Sequence, residues 1–343
     1  MKTIYSPAHL EHHAQGEFNR GALVPPYEKP QRAEWVREAV ERAAFGPLLE
    51  PRDFGLEPVL RVHDAGYVAF LQGAHAEWQA LGRPGDAIPM AWPGRGMRDD
   101  RVPESLDGRL GHYSYDIGTP ITPGTWEAVR TGANIALTAT ALVQEGERAA
   151  FALCRPPGHH AARDYLGGYC YLNNAAIAAQ YLRDHGAARV AIFDVDYHHG
   201  NGTQSIFYDR DDVLFISIHG DPLTEYPYFL GHAEERGEGA GEGFNLNFPL
   251  PHGTTWEAWS AAFDAGAEAL RRFAPDVVVV SLGVDTFEQD PISNFRLRTE
   301  HFPLIGRRIQ ALDLPTVFIM EGGYAVDEIG ANVAAVLRGF EAG

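Results

Sequence analysis

RVAIFDVDYHHGNG, residues 189 to 202, begins as a continuous apolar run and ends in a dense polar cluster. A short run of this kind, rich in β-branched and aromatic residues, reads as a buried strand, and the polar tail as the loop leaving its carboxyl end. Four more segments repeat the pattern: AAFALC (149–154), VLFISIHG (213–220), DVVVVSLG (276–283) and TVFIMEGG (316–323). Helical periodicity lies between most of them. TWEAVRTGANIALTATALVQEG (125–146) starts with Thr125 as a candidate cap, NNAAIAAQYLRDHG (173–186) stops at Gly186, and RAEWVREAVERAAF (32–45) fits a further helix. Strands alternating with helices predict an α/β fold: a single-domain, open, mostly parallel multi-stranded sheet with helices on both faces.

The polar residues fall where such a sheet places its chemistry. RPPGHH follows the first of these strands, DVDYHHGNG ends the second, HGDP the third, and SLGVDTFEQDP and EGGY the last two. Ligands bind outside the carboxyl ends of parallel strands, so these clusters converge on one edge. Asp196 and His198 are two residues apart at a strand end, where side chains point the same way, and Asp285 adds a second carboxylate. Two oxygens and a nitrogen with an open fourth position suit a catalytic metal. D-x-H alone is a weak pattern; its company gives it weight. Adjacent histidines such as His159 and His160 cannot easily chelate one ion, but both can line a pocket in which one accepts a proton from water and the other supplies positive charge. Tyr324, on a glycine-rich turn, can donate to an oxyanion.

The bulk properties narrow the field. With 343 residues, 45% hydrophobic and 22% charged, the composition is that of a soluble globular chain, and no run approaches the roughly 18 apolar residues of a membrane span. The N-terminal MKTIYSPAHLEHH has no signal-peptide core, and Cys154 and Cys170 form no CxxC pair. A cytoplasmic location is therefore expected. A formal charge of −18 argues against nucleic acid and permits a cationic partner. The segment from Arg83 to Gly124 is crowded with Gly, Pro and Asp and lacks sustained periodicity, although Trp92, Tyr113 and Tyr115 argue for an ordered loop that shapes a site or an interface.

Taken in order, RPPGHH, GGYCYLNN, DVDYHHGNGTQ, SLGVDTFEQDP and EGGY resemble the histone deacetylase superfamily, as do VPPYEKPQRAEWV and VHDAGYVAFL nearer the start. The resemblance spans nearly the whole chain. HHGNG, GVDTFEQDPIS and the long 83–124 loop look most like the bacterial acetylpolyamine amidohydrolases. It implies the arginase/deacetylase fold over 1–343, zinc on Asp196, His198 and Asp285, His159 and His160 as the tandem histidines, and Tyr324 as the carbonyl-polarising phenol. Asp194 is expected to orient His159, and Asn201 to orient His160. Asn201 stands where the class I eukaryotic deacetylases carry aspartate, which implies a less basic His160. A structural potassium is implied near Asp194, Asp196, His198 and Ser217. Tyr169 and Tyr226 match the aromatic walls of the substrate tunnel. Arginases of the same superfamily hold two manganese ions with extra carboxylates, where this chain has Gly200 and Gly283.

The expected reaction is zinc-dependent hydrolysis of N-acetylated polyamines or diamines, with Fe²⁺ or Co²⁺ also compatible with the ligand set. His160 is assigned as general base and acid, and His159 as a cation held by Asp194. The resemblance implies that the 83–124 loop makes a homodimer whose narrowed mouth excludes folded proteins. Asp107 is placed as an acidic recognition residue; Gly118 stands where a second was expected, and Asp116 lies two residues earlier. A broader deacetylase acting on acetyl-lysine peptides or other small amides is the alternative. A non-catalytic binder of acetylated amines would be expected to lack a ligand or Tyr324, and all are present.

Overall fold

The computed structural model describes residues 1–325 and 327–343. The chain runs through β1 (Lys2–Ile4), β2 (Glu17–Asn19), β3 (Ala22–Val24), α1 (Gln31–Ala43), β4 (Leu48–Leu49), α2 (Glu57–Leu60) and α3 (Ala65–Ala80). It continues through α4 (Leu106–His112), α5 (Thr125–Gln144), β5 (Ala149–Ala152), α6 (Asn174–Asp184), β6 (Val190–Asp194) and α7 (Asn201–Phe207). The last part holds β7 (Val213–Gly220), β8 (Asn245–Leu250), α8 (Trp256–Phe273), β9 (Val277–Leu282), α9 (Phe302–Gln310), β10 (Thr316–Met320) and α10 (Ile329–Glu341).

Eight strands form one sheet in the order β4-β1-β5-β10-β9-β6-β7-β8, and every pairing is parallel. Alternation along the strands divides the core. Val190 and Ile192 of β6, Val279 of β9 and Ile319 of β10 pack with α3, α5 and α6 on one face. Ala191 and Phe193, Val280 and Phe318 pack with α1, α8, α9 and α10 on the other. Both faces are covered, so the strands are apolar throughout rather than alternating with polar residues, as a parallel sheet requires. The five segments read as strands are β5, β10, β9, β6 and β7, consecutive in this sheet; β7 spans its whole expected segment, and the other four are trimmed where the polar tail turns out of the ladder.

The structure departs from the sequence reading in several places. β1, β4 and β8 are strands beyond the five expected: β1 and β4 are too short to show a pattern, and Asn245, Asn247 and Pro249 interrupt the apolar run of β8. The β2–β3 hairpin is a separate antiparallel pair. The 83–124 segment contains α4, seven residues capped by Ser105 Oγ on Gly108 N, and is tied at its base by an antiparallel bridge between Ala87 and Ile121. Thr125 is not the cap of α5. That position is Gly124, and the Thr125 hydroxyl accepts from the Thr122 amide at 2.7 Å instead. α6 begins as expected at Asn173, whose side chain accepts from Ala176 N at 2.9 Å, and Gly186 after its end has φ of 103°.

Candidate active site and metal centre

The four middle strands, β5, β10, β9 and β6, deliver the site from their carboxyl ends. After β6, the chain places Asp196 and His198; after β9, Asp285. One ligand atom from each lies within 4.8 Å of the others, and all three residues are buried. His198 Nδ1 is 3.0 Å from Asp285 Oδ2 and 3.4 Å from Asp196 Oδ1. Burial and the neighbouring Asp196 charge push Asp285 up to about 7. Asp196 is held below the ordinary carboxylate range: burial opposes this, but His159 and His198 outweigh it. Two buried carboxylates converging on one imidazole repel each other unless a cation sits between them, so the set fits a divalent metal. Gly283 and Gly322 press against it: a Cβ at Gly283 would lie 2.0 Å from Asp196 Oδ2, and one at Gly322 would lie 2.5 Å from both aspartates. With glycine also at Gly200, no carboxylate stands ready for a second metal at either position.

The loop after β5 carries the histidine pair, with ring centroids 4.1 Å apart. His159 Nδ1 donates to Asp194 Oδ2 at 2.9 Å, and its Nε2 is 3.8 Å from Asp196 Oδ1. Burial alone would lower its pKa; Asp194 and Asp196 prevail and raise it to about 10. His160 Nδ1 donates to Asn201 Oδ1 at 2.6 Å, which leaves Nε2 as the lone-pair nitrogen. Burial, His159 and His198 together lower its pKa well below the histidine range. One imidazole is thus cationic and the other neutral at pH 7, a division that suits an electrostatic role and a base role.

Tyr324 follows β10. Burial raises its pKa well above that of a free phenol, against the pull of Arg32, so it remains a proton donor. Its turn is clamped from two sides. Asp290 Oδ2 accepts from the amides of Tyr324 at 2.7 Å and Ala325 at 3.2 Å. Arg32 donates to the carbonyls of Gly323 and Glu321, both at 2.6 Å, and its guanidinium lies 4.5 Å from the Tyr324 ring centroid. Arg32 and Arg155 share the buried carboxylate of Glu28, and Arg155 spans both its oxygens at 2.9 Å. Glu321 Oε2 accepts from the amides of Gly158 and His159, joining the Tyr324 turn to the histidine loop. None of Arg32, Glu28, Arg155, Asp290 and Glu321 was marked as a site residue in the sequence, since their contacts cross up to 291 positions of chain.

A cleft of about 910 Å³ opens over His160, His198 and Tyr324. Tyr169 and Tyr226 stand in its walls. Tyr169 has φ of 65°, a left-handed conformation rare for an aromatic residue; its amide donates to Thr119 Oγ1 at 2.9 Å and its hydroxyl to Glu17 Oε1 at 3.2 Å. Tyr226 donates to Asp116 Oδ2 at 2.6 Å, and its ring meets His160 edge-on at 5.1 Å. Asp116 therefore lies in the cleft. Asp107 does not: α4 directs it to Arg83, which spans both its oxygens at 2.5 and 2.8 Å. Ser217 is the register partner of Asp194 across β6 and β7, and its hydroxyl contacts His219 Nδ1 at 2.8 Å. Glu17 and Glu225 line the cleft as well, and neither stood out in the sequence.

Comparison with known proteins agrees with this geometry. The histone deacetylase domain model matches residues 26–340. The chain is 56% identical over 341 residues to acetylpolyamine amidohydrolase 2 of Pseudomonas aeruginosa, covering 99% of each. It is 50% identical to the acetylpolyamine amidohydrolase of Mycoplana ramosa, again over 99% of both. The crystal structure of acetylpolyamine aminohydrolase from Burkholderia pseudomallei superposes with a TM-score of 0.95 at 43% identity, covering 100% of this chain and 99% of that one.

Proposed function

The chain belongs to the histone deacetylase family, and from that premise we propose that it hydrolyses the acetamide bond of N-acetylated polyamines or diamines, releasing acetate and the free amine. The observation that carries the reading is one cleft holding the buried Asp196, His198 and Asp285 group, a histidine pair split into cation and base, and a tyrosine-walled slot lined by carboxylates. Aromatic faces and carboxylates suit a flexible methylene chain that ends in an ammonium.

Asp196, His198 and Asp285 would hold zinc, or Fe²⁺ or Co²⁺ in its place, which when bound polarises the amide carbonyl and makes water a stronger nucleophile. The protein's own groups do the rest. His160 Nε2 takes the proton of the attacking water and returns it to the departing amine, while Asn201 keeps the ring in that tautomer. Tyr324 donates to the developing oxyanion, and cationic His159 stabilises the same negative charge. Asp194 and Ser217, neighbours across the β6–β7 ladder, are the residues on which a structural potassium would rest, together with Asp196 and His198.

The loop at 83–124 is read as a dimer contact that gates the mouth. Met90, Met97 and Val102 support this: all three are apolar, and they are 77, 68 and 51% exposed. Asp107 would then face a substrate only in the assembled dimer. The deciding experiment is turnover by metal-reconstituted enzyme on acetylputrescine, acetylcadaverine, acetylspermidine and an acetyl-lysine peptide. The small amines should be cleaved with the higher kcat/KM; a preference for the peptide would overturn the substrate assignment in favour of a broader deacetylase.

A further inference from the structure

Three carboxylates line the cleft, those of Glu17, Asp116 and Glu225. Two are occupied by the protein itself. Glu17 accepts from the Tyr169 hydroxyl through Oε1 and from the Tyr27 amide through Oε2. Asp116 accepts from the Gly118 amide through Oδ1, and from the Gly168 amide and the Tyr226 hydroxyl through Oδ2. These two groups set the positions of the slot tyrosines.

Glu225 is different. Asn294 Nδ2 donates to its Oε1 at 3.0 Å, and His252 Nε2 stands against the same oxygen. Among the described residues, Oε2 accepts from no backbone amide and meets no cationic side chain. The residue as a whole is only 9% exposed. Its stem is wedged: a Cβ at Gly220 would lie 2.9 Å from both Glu225 Cγ and the Tyr197 hydroxyl, so the backbone itself closes on the side chain. Glu225 also directly precedes Tyr226, one wall of the slot. A carboxylate that lines the cleft, is fixed and mostly buried, and has no cation on one of its oxygens is preorganised for an N–H donor carrying positive charge.

We infer that Glu225 Oε2 receives a charged amine of the substrate chain and is a specificity-determining residue of the cleft. The inference rests on the amide-hydrolysing reading above and adds the group that recognises the amine. Asp116 and Glu17 act instead as positioning residues for Tyr226 and Tyr169.

The test compares kcat/KM for N-acetylcadaverine with that for N-pentylacetamide, an amide of the same chain length that lacks the ammonium. In E225Q the charged-to-neutral ratio should fall about tenfold, the scale of one charge-assisted hydrogen bond, chiefly through KM of the charged substrate. E225D, which keeps the charge, should restore part of the ratio. E17Q and D116N should slow both substrates together and leave the ratio within about twofold, since tyrosine placement serves both. An unchanged ratio in E225Q, or an equal fall in E17Q or D116N, overturns the assignment of Glu225 while leaving amide hydrolysis standing. A wild-type enzyme that cleaves neither amide overturns both.

Discussion

Two imidazoles 4.1 Å apart are driven in opposite directions by their surroundings: Asp194 and Asp196 raise His159 against its burial, while burial and the neighbouring His159 and His198 lower His160, whose Nδ1 partner is the Asn201 amide. A neutral base works only above its own pKa, so with His160 in the proposed base role the acid limb of the kcat/KM profile should report on it. In N201D a carboxylate replaces the amide acceptor and raises the pKa of His160, and the acid limb should move to higher pH. A shift to lower pH would assign that limb to another group. Tyr324 is tested separately: Y324F should keep its full metal content while turnover falls by about two orders of magnitude, the scale of one lost oxyanion donor. Metal analysis and steady-state kinetics on the same preparation check both halves. At this scale the sequence is informative about residues that lie close together in the chain. Asp196 and His198 are legible because strand geometry makes positions two apart share a direction. Glu17 and Glu225 are not, because each is one acidic residue among 46, and only the folded cleft separates them from the rest.

Among the elements, those that run apolar from end to end were legible and the short ones were not. β5, β6, β7, β9 and β10 are buried on both faces and read directly. β8, partly exposed and holding two asparagines, resembles a loop because its Asn245 and Asn247 amides are used by Gln204 in a contact that no local pattern reveals. α6 shows how an element can serve the site from a distance. Asn173 caps it through Oδ1 and, through Nδ2, donates to the Ala161 carbonyl at 2.9 Å, in the loop that carries both histidines. N173A should lose about 1 to 2 kcal/mol of stability for the cap, read from the denaturant midpoint. Because the Ala161 carbonyl is left buried without that partner, kcat should fall as well. A stability loss with unaltered kcat would show that the histidine loop holds its shape alone.

For the whole molecule, the proposed metal and dimer contact should both bear on stability. Removing the cation leaves Asp196 and Asp285 facing each other in a dry site, so chelation should lower the melting temperature, and stoichiometric Zn²⁺ should restore it. Differential scanning calorimetry on apo and reconstituted protein checks this, and equal melting temperatures would mean that the three residues hold no ion. The dimer proposal predicts that replacing Met90, Met97 and Val102 together with serine shifts the chain toward monomer in light scattering, while an unchanged mass would place the contact elsewhere.

The position of β10 in the sheet has a further consequence. This strand, the last of the sheet's eight in chain order, lies between β5 and β9 at the middle of the ladder rather than at an edge. While the ribosome is still translating residues before 316, the two halves of the sheet have no partner along their inner edges, and the cleft lacks both its tyrosine and the Glu321 tie to the histidine loop. Long-range closure of this kind is slow and leaves strand edges exposed, so the nascent chain is expected to pass through an open, association-prone form until β10 is available to join the two halves.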